Sequence, residues 1–468
     1  MALLAAALGL LPACTTTEWN RPRNRPMLSE PALREPQEVS GPVTVALSFS
    51  GGGLRAAAFA QGVLEGLAQA PSLGGRSLLD EVSFITAVSG GSLTAAYYGL
   101  NGPAGFDSFR TRVLAGDGES SLLTSFSNPL NLLKAVTGGL NDGARLTQWL
   151  DREVFAGATF GDLYRRGRPA VWINATNIQH RLAFPFHERA FEAICSDLTS
   201  FPVSEAVAAS MAVPVLFPPV VLEKFADRCT RPLAVGAELP DDPDRDDQRR
   251  LRLALQRALA DFRSPSTGRY LKLVDGGITD NLGLVSILQS RVLLNTPYGP
   301  ISAQDAQVMR RVLFIVVNAG QGPSGEWGQA PEGPPGLDVA GAAVDTAIDS
   351  AARLSYGSFL GMIRNWERDI VNYRCALPAA EQQALRTRLP GWRCDDVRFA
   401  VTQLGFSDLP PAESAALDAI PTRLKLPPEQ VARLLAAGRS ALASDRVLQA
   451  FVRGLREDGP PPPPQERR

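Results

Sequence analysis

Apolar and polar positions along the chain settle into two periods. Val43–Phe49 (VTVALSF) is β-branched and apolar, Ser50, Gly51, Gly52 and Gly53 break it, and residues 54–70 carry Ala56, Ala60, Val63, Leu64 and Leu67 at helical spacing. The pattern predicts a strand, a glycine loop and a helix whose apolar face lies on a sheet. Residues 81–88 (EVSFITAV) open a second unit of the same kind, with Ser89, Gly90, Gly91 and Ser92 between the strand and a helical stretch at residues 93–98. Further along, residues 173–191 read as a hairpin turning near residues 179–181. Residues 271–274 (LKLV) read as a short strand, Arg311–Asn318 as another buried strand and residues 338–369 as a long helix. The fold class expected from these units is α/β with helical insertions. No internal repeat is found.

The two glycine loops carry the first chemical signal. Glycines between a strand and a helix leave N–H groups unshielded at a helix N-terminus, where the dipole favours negative charge. Gly51, Gly53 and Ala56 fit the loose G-x-G-x-x-G/A dinucleotide pattern, but the same loop suits the oxyanion of an ester-hydrolysis intermediate. The second strand separates these readings. A dinucleotide fold places an acidic residue at its end to hold a ribose, whereas Ser89 stands there, pinned between a buried strand and a helix as in a nucleophile elbow. The usual motif is G-x-S-x-G, and Ala87 occupies the place of its first glycine.

Composition then limits what can activate such a serine. The chain has 468 residues, 47 Lys+Arg against 48 Asp+Glu, and 2 His. Near-neutral charge and a 45% hydrophobic share exclude a disordered chain, a nucleic-acid binder driven by basicity and a polytopic membrane protein. His180 and His187 both lie in the hairpin, and none follows, so the Ser…Asp…His order of an α/β-hydrolase is not available. A carboxylate is the remaining base. Asp275, followed by Gly276 and Gly277, sits where a buried strand ends, the place at which an open α/β sheet presents functional side chains.

Ser50–Arg55 (SGGGLR), the elbow at Ser89 and the DGG at Asp275 together resemble the patatin-like phospholipase family. Residues 160–163 (FGDL), 174–177 (NATN) and 209–220 (ASMAVPVLFPPV) resemble its intervening blocks, so the likeness spans most of residues 43–285. The resemblance implies a three-layer α/β/α fold with a mostly parallel sheet and a Ser–Asp dyad that hydrolyses acyl esters without histidine. It makes Ser89 the nucleophile and Asp275 the base. Gly51, Gly52 and Gly53 become the oxyanion loop, Arg55 steadies it and Gly90 N–H adds a donor. No metal or other cofactor is required. The expected activity is hydrolysis of fatty-acyl esters of phospholipids or other lipids, a carboxylic ester hydrolase of the phospholipase A type. An acyltransferase and a non-catalytic envelope lipoprotein that keeps the fold as an interaction module are the alternatives, with a nucleotide-binding enzyme behind them.

Residues 1–13 are uncharged, and Leu11, Pro12, Ala13 and Cys14 resemble the lipid-attachment box of a bacterial lipoprotein signal. The run is too short to span a hydrocarbon core of ~30 Å. This implies lipidation of Cys14, a membrane anchor and a place in the bacterial cell envelope, at the outer membrane facing the periplasm. Export leaves Cys195, Cys229, Cys375 and Cys394 in an oxidising compartment. Of the three pairings that four cysteines allow, Cys195 with Cys229 and Cys375 with Cys394 close local loops. The expected organisation is a signal peptide (1–13), a flexible tether (14–40), a catalytic domain (41–320), a mostly helical extension packed on it (321–457) and a disordered Pro-rich tail (458–468). A charge run at residues 241–252 reads as a solvated insertion, or as a lid over the cleft. Leu122, Leu123, Phe126, Leu130, Leu132 and Leu133 form an apolar cluster that lines an acyl channel, touches lipid or belongs to the core.

Overall fold

In the computed structural model, residues 21–28, 33–36, 41–119, 143–214, 216–229, 246–322, 331 and 336–458 are described. The signal peptide, Cys14, the leucine-rich cluster at 122–133, the start of the charge run, most of the Gly/Pro loop at 320–336 and all but the first residue of the tail lie outside the described residues.

Eight strands form one sheet: β1 (Val43–Phe49), β2 (Val82–Val88), β3 (Ala170–Asn177), β4 (Leu182–Phe186), β5 (Val220–Glu223), β6 (Tyr270–Asp275), β7 (Arg311–Asn318) and β8 (Arg398–Gly405). Five run parallel in the order β8-β7-β1-β2-β3, and β4 and β6 both pair antiparallel with β3. Strands β1 and β3 are buried along their whole length, as expected of parallel strands covered on both faces. Helices α1 (Gly53–Gln69) and α2 (Gly90–Asn101) follow β1 and β2 directly, which is the doubled strand, loop and helix unit of the sequence. Further helices are α3 (Glu188–Ala193), α4 (Val203–Ser210), α5 (Asp246–Arg263), α6 (Val285–Leu294), α7 (Gly336–Cys375) and α8 (Pro428–Ser444).

Two cores flank the sheet because alternate residues of each strand point to opposite faces. On one face Val45, Leu47 and Phe49 of β1 meet Phe59 and Val63 of α1 and Leu434 of α8. On the other, Ala46 of β1 and Phe314 of β7 meet Ile287 of α6 and Phe359 and Trp366 of α7. The result is a three-layer α/β/α body with a mostly parallel sheet.

One detail of pairing decides where chemistry occurs. β3 binds β2 through residues 170–174 and β6 through residues 175–177, while β4 pairs with 173–177. A strand has only two edges, so β4 takes one, and β2 and β6 share the other. They meet C-terminal end to C-terminal end, Val88 opposite Asn174 and Asp275 opposite Ala175. Ser89 and Asp275 therefore emerge at one point although 186 residues (275 − 89) separate them.

The boundary drawn at residue 320 is not a boundary of the sheet. β8, within the stretch read as helical extension, pairs along its full length with β7. As an edge strand it is half-exposed, and Thr402 and Gln403 interrupt its apolar pattern, so no buried run announces it. From the same stretch, α8 lies directly on α1. A Cβ added to Gly438 would come 2.9 Å from Val63 N, and one on Gly62 would come 3.1 Å from Leu435 Cα, so this crossing is a backbone-to-backbone contact. Disulfides join Cys195 to Cys229 (Cα–Cα 5.4 Å) and Cys375 to Cys394 (Cα–Cα 4.9 Å).

The close crossing leaves no room for a side chain. Gly438→Val is expected to force α8 off α1 and lower unfolding free energy by about 1–3 kcal/mol, the usual cost of overpacking. Urea denaturation followed by far-UV circular dichroism measures it, and an unchanged midpoint would show that the extension is not part of the core.

Candidate active site

Ser89 lies between β2 and α2 with φ 48° and ψ −120°, a conformation that costs a non-glycine residue about 1–3 kcal/mol and persists only where its surroundings enforce it. Two contacts enforce it. The glycines that follow bring the elbow onto the first loop: a Cβ at Gly91 would come 2.6 Å from Ser50 O, and one at Gly90 would come 2.6 Å from Gly53 N. Ser210, at the end of α4, supplies the second. Its hydroxyl accepts from Ser89 N–H (2.7 Å) and donates to Asn174 C=O (2.6 Å), tying the elbow to β3. Asn174 in turn donates to Thr86 Oγ1 (2.8 Å) and to Ala87 C=O (2.9 Å). Ala87 pairs with Phe49 and Ile173 as an ordinary strand residue, so the departure from G-x-S-x-G falls where extended backbone tolerates a methyl group.

Asp275 ends β6 and is 4% exposed. Its Oδ1 accepts from Gly277 N–H at 2.7 Å, and the Ser89 hydroxyl stands near enough to the same carboxylate to favour its charged form. Burial pushes the carboxyl up to about 6, while the Gly277 and Ser89 donors hold it from going higher. Asp280, five residues on, is also buried, but Leu282 N–H, Val285 N–H and Ser355 OH all donate to it, so it braces the turn after Asp275.

The glycine loop stands against the elbow: a Cβ on Gly51 would lie 3.3 Å from Ser89 Cβ. Here the structure differs from the sequence expectation. Gly51 N–H is committed to Asn281, whose Oδ1 lies at 3.1 Å, so it is not an open donor. Gly52 and Gly53, at φ 135° and 58°, donate their N–H groups to no described protein group, and Gly90 N–H, at the start of α2, is in the same position. The next N–H, from Leu54, is capped by Arg423 C=O at 2.9 Å. Arg55 is buried and donates to Ala319 C=O (2.9 Å) and Ile420 C=O (2.7 Å), and burial lowers its guanidinium to about 10. It ties α1 to the residue after β7 and to Ile420 of the C-terminal stretch.

Neither histidine joins this group. His187 caps α3, its Nδ1 accepting from Ala190 N–H at 3.1 Å, and burial drives it down to about 3. His180, in the hairpin turn, faces Asp261 at 3.3 Å. The sequence reading passed over Ser210, Asn174 and Asn281. The first two stood inside blocks quoted only for their resemblance, and Asn281 followed the DGG motif without a role.

Comparison with known proteins came to three findings. The family profile described as patatin-like phospholipase matches residues 47–287, slightly more than half the chain. No curated protein matches the sequence. Among solved structures, human GIVD cytosolic phospholipase A2 is similar at 13% identity and a TM-score of 0.44, over 88% of this chain and 60% of that one. VipD from Legionella pneumophila is similar at 11% identity and a TM-score of 0.31, over 94% of this chain and 72% of that one. The chain thus spans about three-fifths of the human enzyme's length.

Burying a carboxylate whose folded pKa lies above its unfolded value destabilises the fold once pH exceeds the unfolded value near 4. That penalty grows up to the folded value near 6 and is then constant. Asp275→Asn, which keeps an acceptor for Gly277 N–H, is therefore expected to raise the melting temperature more at pH 8 than at pH 4. Equal shifts at both values, read by differential scanning calorimetry, would contradict the raised pKa.

Proposed function

The chain belongs to the patatin-like phospholipase family, and from that premise we propose that it is a serine acyl hydrolase in which Ser89 and Asp275 cleave fatty-acyl esters of phospholipid or a related lipid. The observation that carries this reading is a serine hydroxyl set beside a buried carboxylate whose charged form it favours, next to the N–H groups of Gly52, Gly53 and Gly90, which have no acceptor among the described residues. An inert scaffold has no need of the strained φ at Ser89 or of a desolvated aspartate, and these features favour catalysis over an interaction module.

In the proposed reaction, Ser89 Oγ attacks the acyl carbonyl carbon and its proton passes to Asp275. A carboxylate held near 6 is a better base than a free one near 3.9. Negative charge develops on the carbonyl oxygen and is met by Gly52 and Gly53 N–H, with Gly90 N–H as a further donor. Each well-placed donor contributes about 3–4 kcal/mol to the barrier reduction. The tetrahedral intermediate collapses, the C–O bond to the alcohol breaks and the alcohol takes the proton from Asp275. Water then attacks the acyl-enzyme, gives its proton to Asp275, and Ser89 leaves with that proton. The chemistry balances with the ester, water and these side chains alone. If an alcohol replaces water in the second half, the same steps yield acyl transfer.

The anchoring of the chain by a lipidated Cys14 in a bacterial outer membrane remains part of this proposal. The lipoprotein-type box at residues 11–14 and two disulfides suited to an oxidising compartment support it. No helix of the described residues is long and apolar enough to cross a membrane.

Incubation with mixed phospholipid vesicles and mass spectrometry of the products tests the function. Free fatty acid and lysolipid are expected, and Ser89→Ala and Asp275→Asn should each lower the rate by about 10³-fold or more with unchanged far-UV circular dichroism. Retention of the full rate by either variant would overturn the assignment.

A further inference from the structure

A second feature lies away from the dyad, on the opposite face of the sheet from α1 and α2. A cavity of about 150 Å³ runs beneath α6 and α7 and is walled by one residue or more from each parallel strand, among them Ala46 (β1), Phe84 (β2), Trp172 (β3), Phe314 (β7) and Phe399 (β8). Thr44, Ser83 and Ala170 also line it, so it sits at the N-terminal halves of the strands, whereas Ser89 and Asp275 stand at their C-terminal ends. Five strands at ~4.8 Å spacing give it a length of about 19 Å, the reach of an extended chain of about sixteen carbons. A second cavity, of about 90 Å³, continues from it past Phe184, Leu259 and Phe262. His187, Arg189, Ser290 and Leu294 line both.

Arg189 stands at the junction, with Glu35 and Glu188 also on the wall of the first cavity. Arg189 is exposed and forms no ion pair among the described residues. The acidic groups around it are each held by other partners as well. Arg34 pairs with Glu188 and Glu192, and the Glu35 carboxyl, hydrogen-bonded by Trp172 Nε1, is pushed by burial up to about 7, with Arg189 among the groups that hold it from going higher. His187 is neutral. An apolar trough with Arg189, which has no ion pair among the described residues, exposed at its entrance suits a ligand with a long hydrocarbon chain and a single negative end.

We infer that this trough binds a long-chain fatty acid, its chain along the sheet and its carboxylate on Arg189. The site is separate from the dyad, and the inference does not rest on Ser89 being reactive. A fatty acid is also the product of the proposed hydrolysis, so the trough would hold released product away from the catalytic centre.

Trp172 and Trp366 line the cavity, so a brominated chain seated there quenches them on contact. Titration of the full chain with 9,10-dibromostearate is expected to give saturable quenching of tryptophan fluorescence, largely lost in the Trp172→Phe/Trp366→Phe double variant. Arg189→Glu should weaken binding about ten-fold or more, the value of a lost charge-assisted hydrogen bond. Ser290→Phe, which fills the junction, should abolish it. If Ser290→Phe does not fold, the exposed Arg189→Glu still decides. Prior treatment with a fluorophosphonate, which blocks the catalytic serine, should leave the quenching intact. Absence of saturable quenching, equal affinity in Arg189→Glu, or loss of quenching on fluorophosphonate treatment would each overturn the inference. Failure of Ser89 to take the label counts against the catalytic reading alone.

Discussion

The structure turns on one edge of β3, which two strands share end to end. β2 occupies it as far as Asn174 and β6 takes over at Ala175, running the other way. Both chains must leave the sheet at the same point, and no side chain fits between them. Glycine at 276 follows from that crowding: a Cβ there would press on Asn174 C=O and sit 3.1 Å from a Val88 methyl, while Gly90 and Gly91 let the elbow close onto the end of β1 and the glycine loop. So does the Ser210 hydroxyl, which satisfies a buried N–H on one side of the junction and a buried C=O on the other. The serine and the aspartate are brought together by sheet topology, and their side chains need little reach to meet.

The same closure sets the electrostatics. Removing Asp275 from water raises its basicity and at the same time makes its charged form costly. Two donors offset part of that cost, and the rest is borne by the stability of the surrounding body. That body includes the C-terminal stretch. Arg423 C=O caps the N–H that follows Gly53, Ile420 C=O holds Arg55, and α8 crosses α1 backbone to backbone at Gly438 and Gly62. Residues beyond 400 are therefore part of the support of the glycine loop.

Much of this was legible in the residues. β1 and β7 appear with their observed bounds because parallel strands buried on both faces read as continuous apolar runs; the Ser89 motif sits where another such run, β2, breaks, and the Asp275 motif sits at the end of the short antiparallel β6. Legibility failed where tertiary contacts decide. β8 hides because an edge strand is half polar. Gly51 looks like its neighbours in sequence, and only the fold brings Asn281 to its N–H. Ser210 is one more serine at a helix end until β3 and the elbow are placed on either side of it. Separations of 121 residues for Ser210 and Ser89, and 230 for Asn281 and Gly51, lie beyond any local pattern.

The central claim is that ionisation of Asp275 governs the nucleophilicity of Ser89. It is tested most directly by the second-order rate of fluorophosphonate labelling as a function of pH, with the adduct mapped by peptide mass spectrometry. The adduct is expected on Ser89, at a rate that rises with pH through a single ionisation near 6 and is lost in Asp275→Asn. Labelling at another residue, or a rate at Ser89 that is flat from pH 4 to pH 8, would contradict the account.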